Sequence, residues 1–176
     1  MVLSGAISAR MAAQAPARIP AQAMDEYQVK AGFVSSFPSF IEWPPDAFHG
    51  PGDPLTICVL GSNPFGTSLD ALVAGKSVAG HNLTVRPIPD AHQVTGCHML
   101  FVSSSEHLRL RGILASLGEQ SVFSIGDTSD FIAEGGVVSL LVDNGRVRIE
   151  INADAARERR LRINARLLQL AKGVKR

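Results

Sequence analysis

Short, continuous apolar runs, each followed by a polar loop and a helical pattern, constrain the fold of this chain most. Leu55–Leu60 forms one such run and residues 96–102 form another. An apolar run without polar alternation is typical of a strand buried on both faces, as in a parallel sheet covered by helices. The sequence therefore predicts an α/β fold: a single domain with a mainly parallel sheet flanked by helices on both faces.

The segments between and around these runs fit the same alternation. Residues 25–40 place apolar side chains mostly three or four positions apart, which predicts an amphipathic helix that Pro38 kinks or ends. Residues 82–88 and 121–125 predict two more strands, and residues 127–131 predict a short helix or a turn. These elements complete the strand–helix alternation.

The C-terminal third begins with a different pattern. Residues 143–145 are Asp-Asn-Gly and separate two apolar segments, 137–142 and 146–151. An Asn-Gly pair between such segments is a strong signal for a two-residue β-turn. We therefore expect an antiparallel hairpin near the C-terminus, followed by a helix broken near Leu161.

The first 24 residues differ in composition from the rest of the chain. They contain no acidic and no aromatic residue and end near Ala21-Gln22-Ala23, a small-x-small pattern of the kind that signal peptidase cleaves. We interpret residues 1–24 as a signal-peptide-like or disordered leader, with a mis-chosen start codon as an alternative. The folded domain is then expected to cover residues 25–176.

Polar side chains follow three of the predicted strands. Asn63, followed by Pro64, is at the N-cap position of a predicted helix through Val73. Ser105 and Asp127 are at the corresponding positions of two further segments. The carboxyl ends of parallel strands are also where open sheets bind ligands. These residues therefore serve either as helix caps or as part of a small-molecule cleft.

The sequence contains no recognisable catalytic, cofactor-binding or metal site. Gly61 and Gly66 have the outer spacing of a phosphate-binding loop, but Thr67 stands where its lysine belongs. The five histidines lack the spacing of a helical zinc pair. The net charge of +1 argues against a nucleic-acid partner. We expect a protein that is not an enzyme and needs no cofactor.

The two cysteines, Cys58 and Cys97, both fall in or beside predicted buried strands. They are either reduced thiols of the apolar core or a disulfide, which an exported protein would keep. Residues 157–176 carry eight basic side chains and one acidic one. That strip is either a solvated surface or a partner-binding or membrane-proximal face.

The chain resembles the YfiR family, a family of periplasmic proteins of Gram-negative bacteria. The resemblance covers about residues 25–172 and is carried by many short segments in order. These are Tyr27 to Phe33, Phe40-Ile41-Glu42-Trp43-Pro44, Cys58-Val59-Leu60-Gly61, Pro64-Phe65-Gly66, Leu69, Leu72, Gly75-Lys76, Val78, Leu83, Cys97, Leu100-Phe101-Val102, Ser105-Glu106, Gly126-Asp127, Phe131, Gly135-Gly136, Arg148-Ile149-Glu150-Ile151-Asn152 and Leu167-Leu168-Gln169-Leu170-Ala171. Arg159-Arg160 departs from the family, which often has a small residue and Gly there.

The resemblance implies regulation in the periplasm. The best-known member restrains YfiN, an inner-membrane diguanylate cyclase, and is sequestered by the outer-membrane lipoprotein YfiB. A YfiN-like partner, a YfiB-like partner, a homodimer and an effect on cyclic-di-GMP and biofilm formation are therefore expected. Cys58 and Cys97 match one family cysteine pair.

Two other functions remain open. One is a small-molecule-binding sensor or accessory protein that acts on another membrane system, such as a sensor kinase. The other is an enzyme that uses the strand-end cleft.

Four further residues are candidates for partner or ligand contact. Phe40, Trp43 and Phe65 are large apolar residues beside prolines or loops, where a role in the core is less automatic. Glu150 lies on the predicted solvent face of the hairpin. Core packing for Phe40 and simple solvation for Glu150 are the alternatives.

Overall fold

One large sheet organises the chain, and helices cover both of its faces. The computed structural model describes the backbone of residues 21–175 and the side chains of residues 26–175. The helices are α1 (Ala21–Ser36), α2 (Ser68–Val73), α3 (Leu110–Ser116), α4 (Ala153–Glu158) and α5 (Ala165–Leu170). The strands are β1 (Ile41–Glu42), β2 (Leu55–Leu60), β3 (Ser77–Val78), β4 (His81–Ile88), β5 (Met99–Val102), β6 (Phe123–Gly126), β7 (Val138–Asp143), β8 (Arg146–Asn152), β9 (Arg162–Ile163) and β10 (Gly173–Lys175).

The large sheet has eight strands in the order β10-β8-β7-β6-β5-β2-β4-β3. Strands β4, β2, β5, β6 and β7 run parallel to one another, whereas β3 and β8 pair antiparallel with their neighbours β4 and β7. Strand β1 pairs with β9 in a separate two-stranded sheet. The predicted fold class, a mainly parallel sheet with a C-terminal antiparallel hairpin, is confirmed.

Strand β2 lies inside the sheet, between β5 and β4, and packs against other elements on both of its faces. Its side chains at Ile57 and Val59 join the core that contains α1 and α2, whereas Cys58 and Leu60 join a second core that contains α3. Side chains alternate between the two faces of a strand. A strand with helices on both faces therefore needs apolar residues at every position, which explains the unbroken run.

A tight turn connects β7 and β8. Asp143 pairs with Arg146, so the loop consists of Asn144 and Gly145, with φ angles of 50° and 72°. Two positive φ angles in a two-residue loop match the twist of the flanking strands, and glycine reaches that region without strain. The predicted hairpin is confirmed.

Helix α1 ends where proline was expected to end it. The helix stops at Ser36, and residues 37–40 form a 3₁₀ turn with Pro38 inside it. Its first turn includes residues 21–24, which were assigned to the leader. Residues 1–20 lie outside the described part of the chain, so the expected domain boundary remains a prediction.

Two of the predicted helix starts are wrong. Pro64 to Thr67 form turns, and α2 begins only at Ser68; the Asn63 carboxamide instead closes the turn by accepting from the Phe65 N–H at 2.9 Å. Ser103, not Ser105, occupies the cap position ahead of a 3₁₀ segment, and α3 follows at Leu110. In both places the first polar residue after the strand satisfies a local turn before the helix begins.

The C-terminal segment also differs from the expected helix with a break near Leu161. The chain breaks near Leu161, as predicted, but β9 follows the break and α5 and β10 come after it. Residues 127–131 form turns, so Asp127 caps no helix in the described chain. Very short strands such as β9 depend on pairing with a distant segment, which a local pattern does not encode.

Cys58 and Cys97 form a disulfide on the α3 side of the sheet. Their Cα atoms lie 5.7 Å apart, within the range that a disulfide spans, and the bond links residues 39 positions apart. It ties β2 to the turn that leads into β5. Of the two alternatives, the structure therefore shows the disulfide.

We expect removal of this disulfide to destabilise the fold without changing it. In a Cys58→Ala/Cys97→Ala variant the unfolded chain regains the freedom that the link removes, which lowers the free energy of unfolding by about 2–4 kcal/mol. Urea denaturation followed by circular dichroism measures this loss. Wild-type protein in reductant is the control and should match the variant. Equal urea midpoints for oxidised wild type and variant would contradict the prediction.

Candidate functional site

The candidate contact residues lie in four separate places. Asn63, Phe65, Ser105 and Asp127 lie around the carboxyl ends of β2, β5 and β6. Trp43 lies at the opposite end of the sheet, where the parallel strands begin. Phe40 packs on the core at the C-terminal end of α1. Glu150 lies on β8. The sequence-derived residues thus do not assemble into one site.

The loops after β2 and β5 pack directly against each other. The Ser105 hydroxyl accepts a hydrogen bond from the Ser62 N–H at 3.0 Å. A Cβ atom added to Gly61, which has a φ of +87°, would lie only 2.5 Å from Ser105 Oγ and 2.8 Å from Glu106 Cγ. Only glycine fits there. The chain's own side chains therefore fill the point where an open sheet of this kind offers a ligand crevice.

Asp127 holds α1 to the carboxyl end of β6. Its side chain is only 1% exposed, and its Oδ2 atom accepts from the Tyr27 hydroxyl at 2.7 Å and lies 3.6 Å from the Lys30 ammonium. Lys30 also pairs with Glu26 at 2.5 Å. We call the group formed by Glu26, Tyr27, Lys30 and Asp127 the α1 clasp.

Phe65 completes the surroundings of the α1 clasp. Its ring packs edge-on against Tyr27, with centroids 6.0 Å apart, and against Phe101 at 4.6 Å. Burial, followed by the hydrogen bond to Asp127, raises the pKa of Tyr27 well above its ordinary value, so the phenol stays protonated and donates. Phe65 is buried in the core and acts here by positioning Tyr27.

The sequence pattern does not mark Tyr27 or Lys30 as residues of a functional site. Lys30 is 2% exposed. A lysine on a helix is ordinarily read as solvated, since lysine is almost never fully buried without a partner. The one available signal was its position next to Ala31 and near Phe33 and Val34 on an otherwise uncharged helical turn.

Trp43 is held at the amino ends of the parallel strands. Its indole N–H donates to the His98 carbonyl at 3.2 Å, and its ring lies edge-on to the His98 imidazole. His98 in turn donates from Nε2 to the Ala47 carbonyl at 3.0 Å and accepts the Thr56 N–H on Nδ1 at 3.1 Å. The imidazole therefore binds as the neutral form, with one donor and one acceptor nitrogen.

The loop after Trp43 is stacked onto the sheet by two histidines. The Phe48 ring lies between His81, with centroids 3.7 Å apart, and His98, at 4.4 Å. Burial lowers the pKa of His98 below its ordinary value, which keeps its Nδ1 free to accept. Residues 43–48 are thus held by aromatic stacking, by the imidazole bond from His98 to the Ala47 carbonyl, and by the indole bond from Trp43 to the His98 carbonyl.

Trp43 lines a surface cleft of about 560 Å³. Its other lining residues are Glu42, Pro44, Pro45, Arg157, Arg160, Leu161 and Arg162. Arg157 pairs with Asp154, and Arg160 binds Asp46 through two hydrogen bonds of 2.8 and 3.0 Å. Arg162 forms no ion pair with a described residue, and an aromatic wall beside its guanidinium suits a flat or anionic group. We call this the Trp43 cleft.

The family resemblance implies glycine at the position that Arg160 occupies. Its φ is +60°, the left-handed conformation that commonly ends a helix and that favours glycine. The cost of that conformation in a non-glycine residue is offset by the paired hydrogen bonds to Asp46. The departure noted in the sequence therefore ties the end of α4 to the loop after Trp43.

Glu150 and Phe40 take different positions. The Glu150 side chain is 30% exposed and pairs with Arg148 at 3.2 Å, so it faces outward from β8 as expected. Phe40 is half-buried and packs against the main core. A contact with a partner remains a prediction for both residues.

Among the described residues, no three histidine, cysteine or acidic side chains come together in a way that could hold a metal ion. No helix within residues 21–175 is both long and apolar enough to cross a membrane.

Comparison with known proteins gives a family and a fold. A family model described as YfiR/HmsC-like (DUF4154) matches residues 27–172, from Tyr27 of the α1 clasp to the residue before β10. No curated protein matches the chain.

Two solved structures share the fold. One is the ABC domain in complex with L-Trp from Streptococcus pneumoniae, with a TM-score of 0.55 and 13% identity. The other is a conserved domain protein from Vibrio cholerae O1 biovar El Tor, with a TM-score of 0.56 and 11% identity. Each match covers 85% of this chain and 60% of the other, so the chain spans less than two thirds of either structure. At such identities the likeness concerns the fold alone.

We expect Lys30→Met to destabilise the protein strongly. The change leaves the Asp127 carboxylate buried without its cation, which costs about 3–5 kcal/mol of unfolding free energy. A Lys30→Met/Asp127→Asn double variant should recover much of that loss, because the buried charge is also removed. Lys76→Met, at an exposed lysine, is the matched control and should change little. Urea denaturation measures all three, and equal midpoints for Lys30→Met and Lys76→Met would contradict the role of the clasp.

We expect His98 to make the stability of the protein pH-dependent. Because the folded pKa of His98 lies below the unfolded value of about 6.5, the unfolded state takes up a proton first. The contribution of His98 is therefore present above about pH 6.5 and is lost as pH falls through the folded pKa. Thermal unfolding between pH 7.5 and 4.5 should show a shallower decline for His98→Gln than for wild type.

His92 provides the matched control for this measurement. Its side chain is 90% exposed, so His92→Gln should keep the wild-type dependence on pH. Parallel curves for wild type and His98→Gln would show that protonation of His98 does not oppose folding.

Proposed function

The chain belongs to the YfiR/HmsC-like family, and on that premise we propose that it is a non-enzymatic periplasmic regulator that binds and restrains a membrane-bound diguanylate cyclase. Restraint of that enzyme lowers cyclic-di-GMP and biofilm formation. The observation that carries the proposal is the family match over residues 27–172, which includes nearly all of the described fold. A YfiB-like lipoprotein and a second copy of the chain are further proposed partners.

The disulfide supports the proposed compartment. Cys58 and Cys97 are bonded in the structure. Disulfides persist in oxidising environments such as the bacterial periplasm and are rare in the cytosol. This agrees with the leader expected at residues 1–24.

The contacts at the strand ends support a role without catalysis. A catalytic carboxylate or hydroxyl must reach a substrate. Asp127 is buried under Tyr27 and Lys30, and Ser105 is engaged by the loop at Ser62. These polar groups hold the elements of the fold together, and we assign them no chemical step.

A second candidate function rests on the Trp43 cleft. Its volume of about 560 Å³ lies within the range of small-molecule sites, roughly 300–1,000 Å³. In this alternative the protein is a periplasmic sensor or accessory protein that binds a small organic anion between Trp43 and the arginines and reports to another membrane system, such as a sensor kinase. The two functions are compatible if the ligand alters partner binding.

Deletion of the gene in its own host tests the first function. We expect cellular cyclic-di-GMP to rise several-fold and biofilm to increase, because the cyclase loses its restraint. Mass spectrometry of nucleotide extracts measures the change. Complementation with the full chain should restore the wild-type level, and complementation with the chain lacking residues 1–24 should fail for want of export.

The same strains separate the two candidates. Unchanged cyclic-di-GMP in the deletion strain would contradict the cyclase proposal. If, in addition, a small carboxylate raised the thermal midpoint of wild type and Arg162→Ala, at an exposed lining residue of the cleft, abolished that shift, the sensor function would stand in its place.

A further inference from the structure

Helix α1 turns a lysine inward and a valine outward. Lys30 is 2% exposed, whereas its neighbour Val29 is 50% exposed. A surface helix ordinarily does the reverse, with its apolar stripe on the core and its charges in water. The α1 clasp stabilises this inversion, because Asp127 and Glu26 compensate the buried ammonium. The exposed side of α1 thus carries Val29, with the half-buried Phe33 one turn further along, beside the polar Gln28.

The hairpin presents further apolar side chains beyond α1. Leu140 and Ile149 face each other across β7 and β8 and lie in the core. The next pair on the same face is Val142 and Val147. Val142 is nevertheless 46% exposed, so the inward-facing row of the hairpin continues past the point where helices cover it.

A groove of about 670 Å³ lies between these two surfaces. Val29 and Phe33 line it from α1, and Val142 and Val147 line it from the hairpin. Its charged lining residues are Glu26 and Arg146. We call it the α1–hairpin groove.

One charged group that lines the groove has no ion-pair partner among the described residues. Glu26 pairs with Lys30 at 2.5 Å, an ammonium that it shares with Asp127. Arg146 forms no ion pair with any residue in the described part of the chain. A complementary occupant therefore combines apolar side chains with an acidic group placed beside Arg146.

We propose that the α1–hairpin groove is the docking surface for a short amphipathic segment of the regulated membrane protein. The segment lays aliphatic or aromatic side chains against Val29, Phe33 and Val142 and places a carboxylate beside Arg146. This inference rests on the proposed function and assigns the surface through which that function is exerted. Recognition of an amphipathic helix by an apolar groove is a recurring mode of peptide binding.

The lining distinguishes this occupant from others. Small-molecule sites use a few convergent polar groups to orient the ligand, whereas the charged groups of this groove are limited to Glu26, which is already paired, and Arg146. If the groove contacted the same groove of a second copy, the acidic lining residue available to Arg146 would be Glu26, which Lys30 already holds. A segment of a different protein can supply the missing carboxylate.

Direct binding tests the proposal. The probe is the purified, fluorescently labelled periplasmic domain of the host's membrane-bound diguanylate cyclase, titrated with the full exported protein. We expect Val29→Lys and Val142→Lys each to weaken binding about tenfold or more, because each places a charge in the apolar contact. Arg146→Ala should weaken binding and reduce its dependence on salt.

Matched controls come from exposed leucines outside the groove. Leu108 is 88% exposed and Leu170 is 61% exposed. Leu108→Lys and Leu170→Lys should leave the affinity within about twofold of wild type, since rim or remote residues contribute little. Thermal midpoints confirm that the variants fold, and Val29→Thr and Val142→Thr replace any variant that does not.

Each remaining outcome overturns the proposal in a distinguishable way. If wild type does not bind the probe, the proposed function falls and this inference falls with it. If wild type binds and the groove variants match the leucine controls, the function stands and the docking surface is wrong. If the groove variants bind normally but sediment as a smaller species than wild type, the groove joins two copies of this chain and the proposal is overturned.

Discussion

Burial of the central strand on both faces is the constraint on which the rest of the structure depends. Strand β2 packs against α1 and α2 on one side and against α3 on the other, so its side chains exclude water along their whole length. Buried polar groups must find partners within the protein. Polar chemistry is consequently displaced to the ends of the strands, where the loops begin.

Both ends of the sheet are then closed by side chains from other elements. At the carboxyl end, the α1 clasp and the contact between Ser62 and Ser105 occupy the space above β2, β5 and β6. At the amino end, His98 binds the loop after Trp43 through Ala47 and the sheet through Thr56. The Trp43 cleft and the α1–hairpin groove lie on the periphery of the fold. That position agrees with the proposed function, in which the protein acts by binding.

The sequence predicted the elements whose signal is local. The apolar run of β2 and the Asn-Gly turn of the hairpin are each determined by a few neighbouring residues, and both predictions were confirmed. The cap at Asn63 and the cap at Ser105 were wrong, because a polar residue after a strand can satisfy a turn as well as a helix. Strand β9 and the left-handed Arg160 were missed or unexplained, since each depends on a partner far along the chain: β1 for the strand and Asp46 for the arginine.

The same distinction explains why the sequence could not locate the groove. An outward Val29 is indistinguishable from a core residue in a helical pattern, because the pattern reports spacing and leaves the facing direction open. That direction is set by the buried Ala31 and Val34 together with Lys30, which can turn inward because the Asp127 carboxylate at the end of β6 compensates its charge. A buried ion pair of this kind gives little net stability, since desolvation offsets the attraction. Its effect here is one of orientation: it holds Lys30 inward and leaves Val29 exposed on the side of α1 that lines the proposed docking groove.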